Sequence, residues 1–425
     1  MREWALRPLS GRLAITDPEL NTGRNSFTTG SFIITLSAIG QDAPGGYAGP
    51  RLTIAHRSAP GRWLWHTLRG ETFVGAAEGL ETVTETRGSY FFSDRLVSTC
   101  ADQTIDGIDQ LPSAVEVRGS LTCSDGKIIG YTLIFHAPAS NQLAFSLSFG
   151  HPKLNRAYLT YASDSDEHFF GLGEQFSRFD HKGQRVPIWV SEQGIGRGAQ
   201  PVTALVNLAA RSGGSDTTTY AAVPHYITSR LRSLFLENSE YSVFDLRAAD
   251  RVQISTFSGQ MQGRILFGAN PEELITEYTG WAGRMRPLPN WILEGAVVGM
   301  QGGDARVREV YAQLKSRGTP VSAFWLQDWV GQRSTSFGKQ LWWNWELDRE
   351  RYPDWDALRA ELAADDVRLM VYVSPFIADV AALKPNLRRN LFLEASQAGY
   401  LVKGADGSPY LIQNTDFSAG LLDLT

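Results

Sequence analysis

The chain is poor in cysteine. It has two, Cys100 and Cys123, in 425 residues, too few for a disulfide framework. They could pair within a sheet, but two free thiols in a cytoplasmic protein are the expectation. Long apolar runs are also lacking. The strongest, Trp291 to Met300, is broken by Glu294, Gly295 and Gly299, so no membrane span is expected. The first residues show neither an apolar core nor a small-residue cleavage site, so no secretory signal is visible. Positive charge is not in excess: the formal net charge of −5 gives no electrostatic footprint for nucleic acid. The seven histidines are scattered, without HExxH or a close pair, and no G-x-S-x-G elbow occurs. No metal site, cofactor or serine nucleophile is therefore expected. Asp164 and Asp166 read as a solvated turn rather than a catalytic pair.

What the chain does have is tryptophan, twelve in all, and these are concentrated between Val321 and Trp345. An apolar run after the breaker Gly318-Thr319-Pro320 predicts a strand. At its C-terminal end stand Gln327, Asp328, Trp329, Gln332 and Arg333, and a loop then carries Trp342, Trp343, Asn344 and Trp345. Aromatic faces beside amides suit a sugar, which offers C–H faces to stack and hydroxyls that both donate and accept. A purely buried aromatic loop would be poor core material with so many polar groups.

Length predicts two domains. Residues 1–268 read as short period-2 strands separated by turn residues, the pattern of a β-sandwich. Within them, 169–198 reads as an active-site loop reaching toward a second domain. Its Gly194, Gly196 and Gly198 do not match a dinucleotide fingerprint. Asn270-Pro271-Glu272-Glu273 starts a helix, and 269–289 is a linker ending in Pro287 and Pro289. From 290 to 425 strands and helices alternate: strands at Trp291–Met300, Val321–Gln327 and Val367–Val373, helices at Asp304–Ser316, about Trp355–Ala364 and within Asn386–Gly399. These make the first three to four βα units of an α/β barrel that needs eight. The segment from Gly420 looks like the beginning of another strand. The chain therefore reads as the N-terminal part of a longer protein. Barrel sites lie at the C-terminal strand ends, which here are marked by Gln301, by Gln327 and Asp328, and by Ser374, Pro375 and Phe376.

The ordered set GLGEQFSRFDHKGQRVPIWVSEQGIGRG, GMQGG, FWLQDWVGQRSTSFGKQLWWNW and LMVYVSPFIAD closely resembles the sulfoquinovosidases of glycoside hydrolase family 31, and more distantly that family's α-glucosidases. The resemblance implies a galactose-mutarotase-like β-sandwich followed by a (β/α)8 TIM barrel. It also implies retaining hydrolysis by two Asp carboxylates, both on later strands. No catalytic residue lies in this chain; the nucleophile and the acid/base are expected beyond Thr425. Gln301 and Gln327 match the two Gln that hold the C6 sulfonate in that subfamily, and Trp343 matches the Trp. Gln340 stands where the family has a sulfonate-binding Arg. Three explanations stay open: the Gln340 amide donates, Lys339 or Arg333 turns inward, or the substrate differs. Arg333 is the weaker candidate, because the family has an Arg there as well. The expectation is a cytoplasmic sulfoquinovosidase acting on a small α-glycoside, with oligomeric state open. The alternatives are an α-glucosidase-like enzyme for a neutral sugar, or a non-catalytic carbohydrate-binding protein.

Overall fold

The computed structural model describes residues 8–38, 49–86, 89–191, 200–210, 213–335, 338–384, 387–414 and 417–424. The chain divides into two units: Met1–Thr84 with Ser89–Arg284, and Glu85–Gly88 with Met285–Thr425.

The first unit is a β-sandwich. Fifteen of its described strands form one sheet, and Arg24–Thr29, Phe32–Ser37, Arg51–His56 and Ala59–His66 form another. Strict alternation explains the fold. In Ala114–Cys123, Val115, Val117, Leu121 and Cys123 are buried on one face while Arg118 and Thr122 face water, as period-2 side chains require. These residues share a core with Phe32, Ile34, Leu36 and Ile54 of the smaller sheet.

The helix Pro271–Ala282 begins as its sequence predicts. Asn270 Oδ1 accepts from Glu273 N at 2.9 Å, and Glu273 Oε2 accepts from Ala269 N, one residue before the cap, at 2.8 Å, a variant of the capping box. It is tied to the sandwich by Asn141 and Gln142, whose amides donate to the Glu277 carboxylate at 2.8 and 3.0 Å.

Two features of this unit differ from expectation. A helix, Pro201–Ala210, interrupts the all-β pattern; its Pro at the first position was the available signal. The cysteines are not free thiols. Cys100 and Cys123 face each other across antiparallel strands and form a disulfide, because the strand register brings together residues 23 apart in sequence.

The second unit contains a parallel sheet of Ala296–Met300, Val321–Leu326 and Arg368–Val371, in sequence order. The helices Asp304–Ser316 and Trp355–Ala364 intervene along the chain. Val307, Phe324, Leu326, Leu358, Leu362 and Val367 form its core. The first strand is shorter than predicted. Asn290–Leu293 is a 3-10 turn started by Pro289, with Ile292 N donating to Pro289 O at 3.1 Å. The C-terminal segment is not a fourth parallel strand. Phe417–Leu421 pairs antiparallel with both Leu411–Asn414 and Phe376–Ala378. Among the described residues, no helix is long and apolar enough to cross a membrane.

Candidate functional site at the strand ends

The second parallel strand ends at Leu326 and passes into a 3-10 turn, Gln327–Val330. Asp328 holds this turn. It is fully buried; its Oδ2 accepts from Gly302 N at 2.8 Å and Arg351 Nε at 2.7 Å, and its Oδ1 accepts from Tyr352 Oη at 2.5 Å. Burial, then the Asp328 carboxylate beside it, pushes the Tyr352 phenol well above its usual range. Asp328 thus ties the first two strand ends to the segment before helix Trp355–Ala364, and its neighbour Gln327 is left to point elsewhere.

Gly331 then turns the chain at φ +84, where a Cβ would lie 2.1 Å from Asp348 Oδ2. A hairpin follows, Gln332–Thr335 against Gly338–Leu341, with Arg333 opposite Gln340. The tryptophan loop folds over the third strand end: Trp343 stacks on Phe376 at 5.6 Å, and Trp345 Nε1 donates to Phe376 O at 2.7 Å. Between them Asn344 is buried, and neither amide atom has a hydrogen-bond partner.

Gln327, Gln340, Leu341, Trp343, Tyr372 and Asn414 line a cavity of about 380 Å³. Gln301 adjoins it through its amide, which donates to Gln327 Oε1 at 2.9 Å; Gln332 Nε2 in turn donates to Gln301 Oε1. The structure therefore brings Gln327, Gln340 and Trp343 to one cavity and links Gln301 to it. Tyr372 and Asn414 were not singled out from sequence. Tyr372 lies just past the third parallel strand, in the LMVYVSP run, where a strand-end rule could have found it; Asn414 ends the first strand of a local hairpin whose second strand pairs with the distant Phe376–Ala378.

Three nearby cations, Arg333, Arg351 and Lys384, are engaged. Arg333 is 8% exposed, donates to Leu341 O, and lies 4.1 Å over the Phe417 ring. Arg351 is bound to Asp328. Lys384 donates to Val330 O at 2.8 Å and pairs with Asp348 at 3.0 Å. Lys339 pairs with Ser334 in the hairpin register and is exposed. Among the described residues, the cavity lining is amide, phenol, indole and aliphatic. No group of three or more described His, Cys, Asp or Glu is placed to hold a metal.

In the first unit, the 169–198 segment is strand at Phe169–Gly173 and Arg185–Ile188. Asp180 braces the turn between them, accepting from Phe169 N and Lys182 N at 3.0 Å each and contacting His168 Nδ1 at 2.7 Å. Burial raises its carboxyl, but the bonds to His168 and the two amides outweigh this and hold it below the usual range. Glu192, Gly194, Gly196, Arg197 and Gly198 lie outside the described residues.

Comparison with known proteins accords with the two-unit fold. Residues 287–425 match the glycosyl hydrolases family 31 TIM-barrel domain, and residues 135–245 the glycosyl hydrolase 31 N-terminal galactose mutarotase-like domain. The chain is 30% identical to the sulfoquinovosidase of Escherichia coli K12 over 348 residues, 82% of this chain and 49% of that protein. It is 33% identical to the sulfoquinovosidase of Agrobacterium fabrum over 273 residues, 64% and 40% respectively. The chain thus spans about half the length, or less, of these curated relatives. Among solved structures, an E. rectale sulfoquinovosidase bound to an aza-sugar inhibitor superposes with a TM-score of 0.75 at 24% identity, covering 94% of this chain and 54% of that one. That likeness is one of fold.

Proposed function

This chain belongs to glycoside hydrolase family 31, and we propose that the complete protein is a retaining α-glycosidase that hydrolyses α-sulfoquinovosides such as sulfoquinovosyl glycerol. The observation that carries the reading is the amide chain at the strand ends. Gln327 Oε1 is occupied by Gln301, so the two N–H bonds of Gln327 are what it offers the cavity. A sulfonate accepts hydrogen bonds only, and a donor-only edge fits it better than a carboxylate, which would repel it. The Trp343 indole adds an aromatic face and an N–H. In this reading, two Asp on later strands cleave the glycosidic bond through a covalent glycosyl intermediate and its hydrolysis.

A second reading is favoured by one observation. No described cation lines the cavity, and Arg333 is held within its hairpin. A neutral sugar hydroxyl accepts as well as donates, so the Gln327 N–H groups would satisfy it too. The test is hydrolysis of 4-nitrophenyl α-sulfoquinovoside and 4-nitrophenyl α-glucoside side by side by the complete protein. Higher kcat/KM on the sulfonated substrate is expected; preference for the glucoside overturns the first reading in favour of the second.

A further inference from the structure

A larger cavity, of about 620 Å³, lies wholly within the residues of the sandwich unit. This size is in the range that accommodates small-molecule ligands. Its walls are not ordinary core. Phe92 and Tyr241 are stacked at 5.0 Å, and Trp189 stands edge-on to Phe92 at 4.6 Å and to Tyr241 at 6.1 Å. All three rings are half-buried, so each keeps surface to offer. The Trp189 indole nitrogen is buried without a hydrogen-bond partner, an orphaned donor that calls for an acceptor.

The polar groups around these rings are mixed: Asp216, exposed, contributes a carboxylate to the lining, while Gln184 and Arg185 are donors. Gln184 lines the cavity, with its Oε1 3.4 Å from His181 Nδ1. Asn207 is engaged on both sides: its Oδ1 accepts from Gly213 N at 2.7 Å and its Nδ2 donates to Gly214 O at 3.5 Å. Arg185 has no carboxylate partner among the described residues. The carboxylate opposite it in the ladder, Asp245, is taken by Arg247 at 2.9 and 2.6 Å. A half-buried guanidinium without a counter-ion among the described residues, beside stacked aromatic rings and the Gln184 amide, suits a ligand that has both a C–H face and an acidic group. An apolar ligand would leave the Arg185 and Gln184 donors and the Trp189 indole N–H unpaired.

We propose that the sandwich unit binds an acidic sugar in this cavity, its ring against Phe92, Trp189 and Tyr241 and its anionic group on Arg185. The proposal does not depend on which sugar the barrel cavity takes. The probe is D-glucuronate, with methyl α-glucoside as the neutral control. Binding to this chain is followed by saturation-transfer NMR and titration calorimetry. To silence the barrel cavity, the measurements use the Gln327→Ala/Trp343→Ala background. Saturable glucuronate binding is expected, weakened about tenfold or more by Arg185→Gln and by Trp189→Ala, with Arg185→Lys retaining most of it. Thermal melts of the Arg185 variants are expected to match the parent, which separates lost binding from lost folding. Absence of glucuronate binding, equal binding of the neutral control, or binding indifferent to Arg185→Gln overturns the proposal. So does binding that disappears in the Gln327→Ala/Trp343→Ala background.

Discussion

Gln332 and Gln301 are joined amide to amide: Gln332 Nε2 donates to Gln301 Oε1, and Gln301 Nε2 passes the polarity on to Gln327 Oε1 at 2.9 Å. A carboxamide is ambivalent, since it donates from one side and accepts on the other. A chain of three removes the ambivalence, because each occupied oxygen forces the next N–H outward. Gln332 does not line the cavity, yet it sets the face that Gln327 presents there.

Two substitutions at Gln332 test this in the complete protein. Gln332→Leu removes the anchor, and a drop of about fivefold in kcat/KM on a sulfonated substrate is expected, the value of one ordinary hydrogen bond. Gln332→Glu reverses the relay, because a carboxylate can only accept and will draw in the Gln301 N–H. KM for the sulfonated substrate should then rise more than with Leu, while KM for a neutral glucoside barely moves. Equal losses on both substrates would reduce Gln332 to a structural role.

Gln340 faces Arg333 across the hairpin, and its Oε1 is 3.5 Å from Arg333 Nη2. With Arg333 buried against Phe417 and bonded to Leu341 O, its charge is spent inside the hairpin. Gln340→Arg would place a second guanidinium on the cavity side. A charge-assisted bond in place of a neutral one is worth roughly 1–1.5 kcal/mol more. KM for the sulfonated substrate should fall about tenfold in steady-state kinetics. An unchanged or higher KM would show that the cavity already meets the anion by other means, or that its substrate carries none.

Much of this was legible because it is local. The capping box at Asn270 and Glu273 is written within four residues, and the alternation of Ala114–Cys123 is visible within ten. Gln327 and Trp343 stand out because strand-end polarity and clustered indoles are short-range signals. What escaped is non-local or lacks a period. Pro201–Ala210 is PVTALVNLAA, with scarcely a polar face to reveal a helical repeat. Phe417–Leu421 looks like a strand in any sequence window, but only its partners at 376–378 and 411–414 make it antiparallel. Asn414 sits in the hairpin that the pairing with 376–378 fixes. The role of Asp328 was ambiguous for a related reason: its partners Gly302, Arg351 and Tyr352 lie 23 to 26 residues away.

The disulfide is the clearest such case, and it makes a stability prediction. Cys100 and Cys123 close a loop of 23 residues, for which chain-entropy arguments give about 3 kcal/mol. Cys100→Ala/Cys123→Ala should shift the urea midpoint downward, and reductant should move the parent by a similar amount without affecting the variant. Thiol titration of the denatured, unreduced chain should find no free thiol. Two titratable thiols in protein purified from an oxidising compartment would contradict the bridge.

Two buried histidines make the sandwich sensitive to acid. Burial drives His225 down from 6.5 to about 4; it donates to or accepts from Ser233 Oγ at 2.9 Å and stacks on Tyr278 at 4.2 Å. Burial, and then the Arg232 guanidinium 3.4 Å away, does the same to His66, with Arg51 adding repulsion and Thr67 O and Asp164 opposing it. In both cases the folded state holds the ring neutral while the unfolded chain takes up a proton near pH 6.5. Between pH 6.5 and about 4 the unfolded state therefore binds more protons, so stability rises with pH across this window and is lost as pH falls through it. Each histidine contributes at most about 1.4 kcal/mol per pH unit. Urea midpoints measured across the window should decline toward acid, and His66→Gln/His225→Gln should flatten the decline by up to two protons. Carboxylates such as Asp180, held low in the fold, lose their own contribution only at lower pH, so a slope that the double substitution leaves untouched between pH 6.5 and 5 would mean that neither ring is kept neutral by the core.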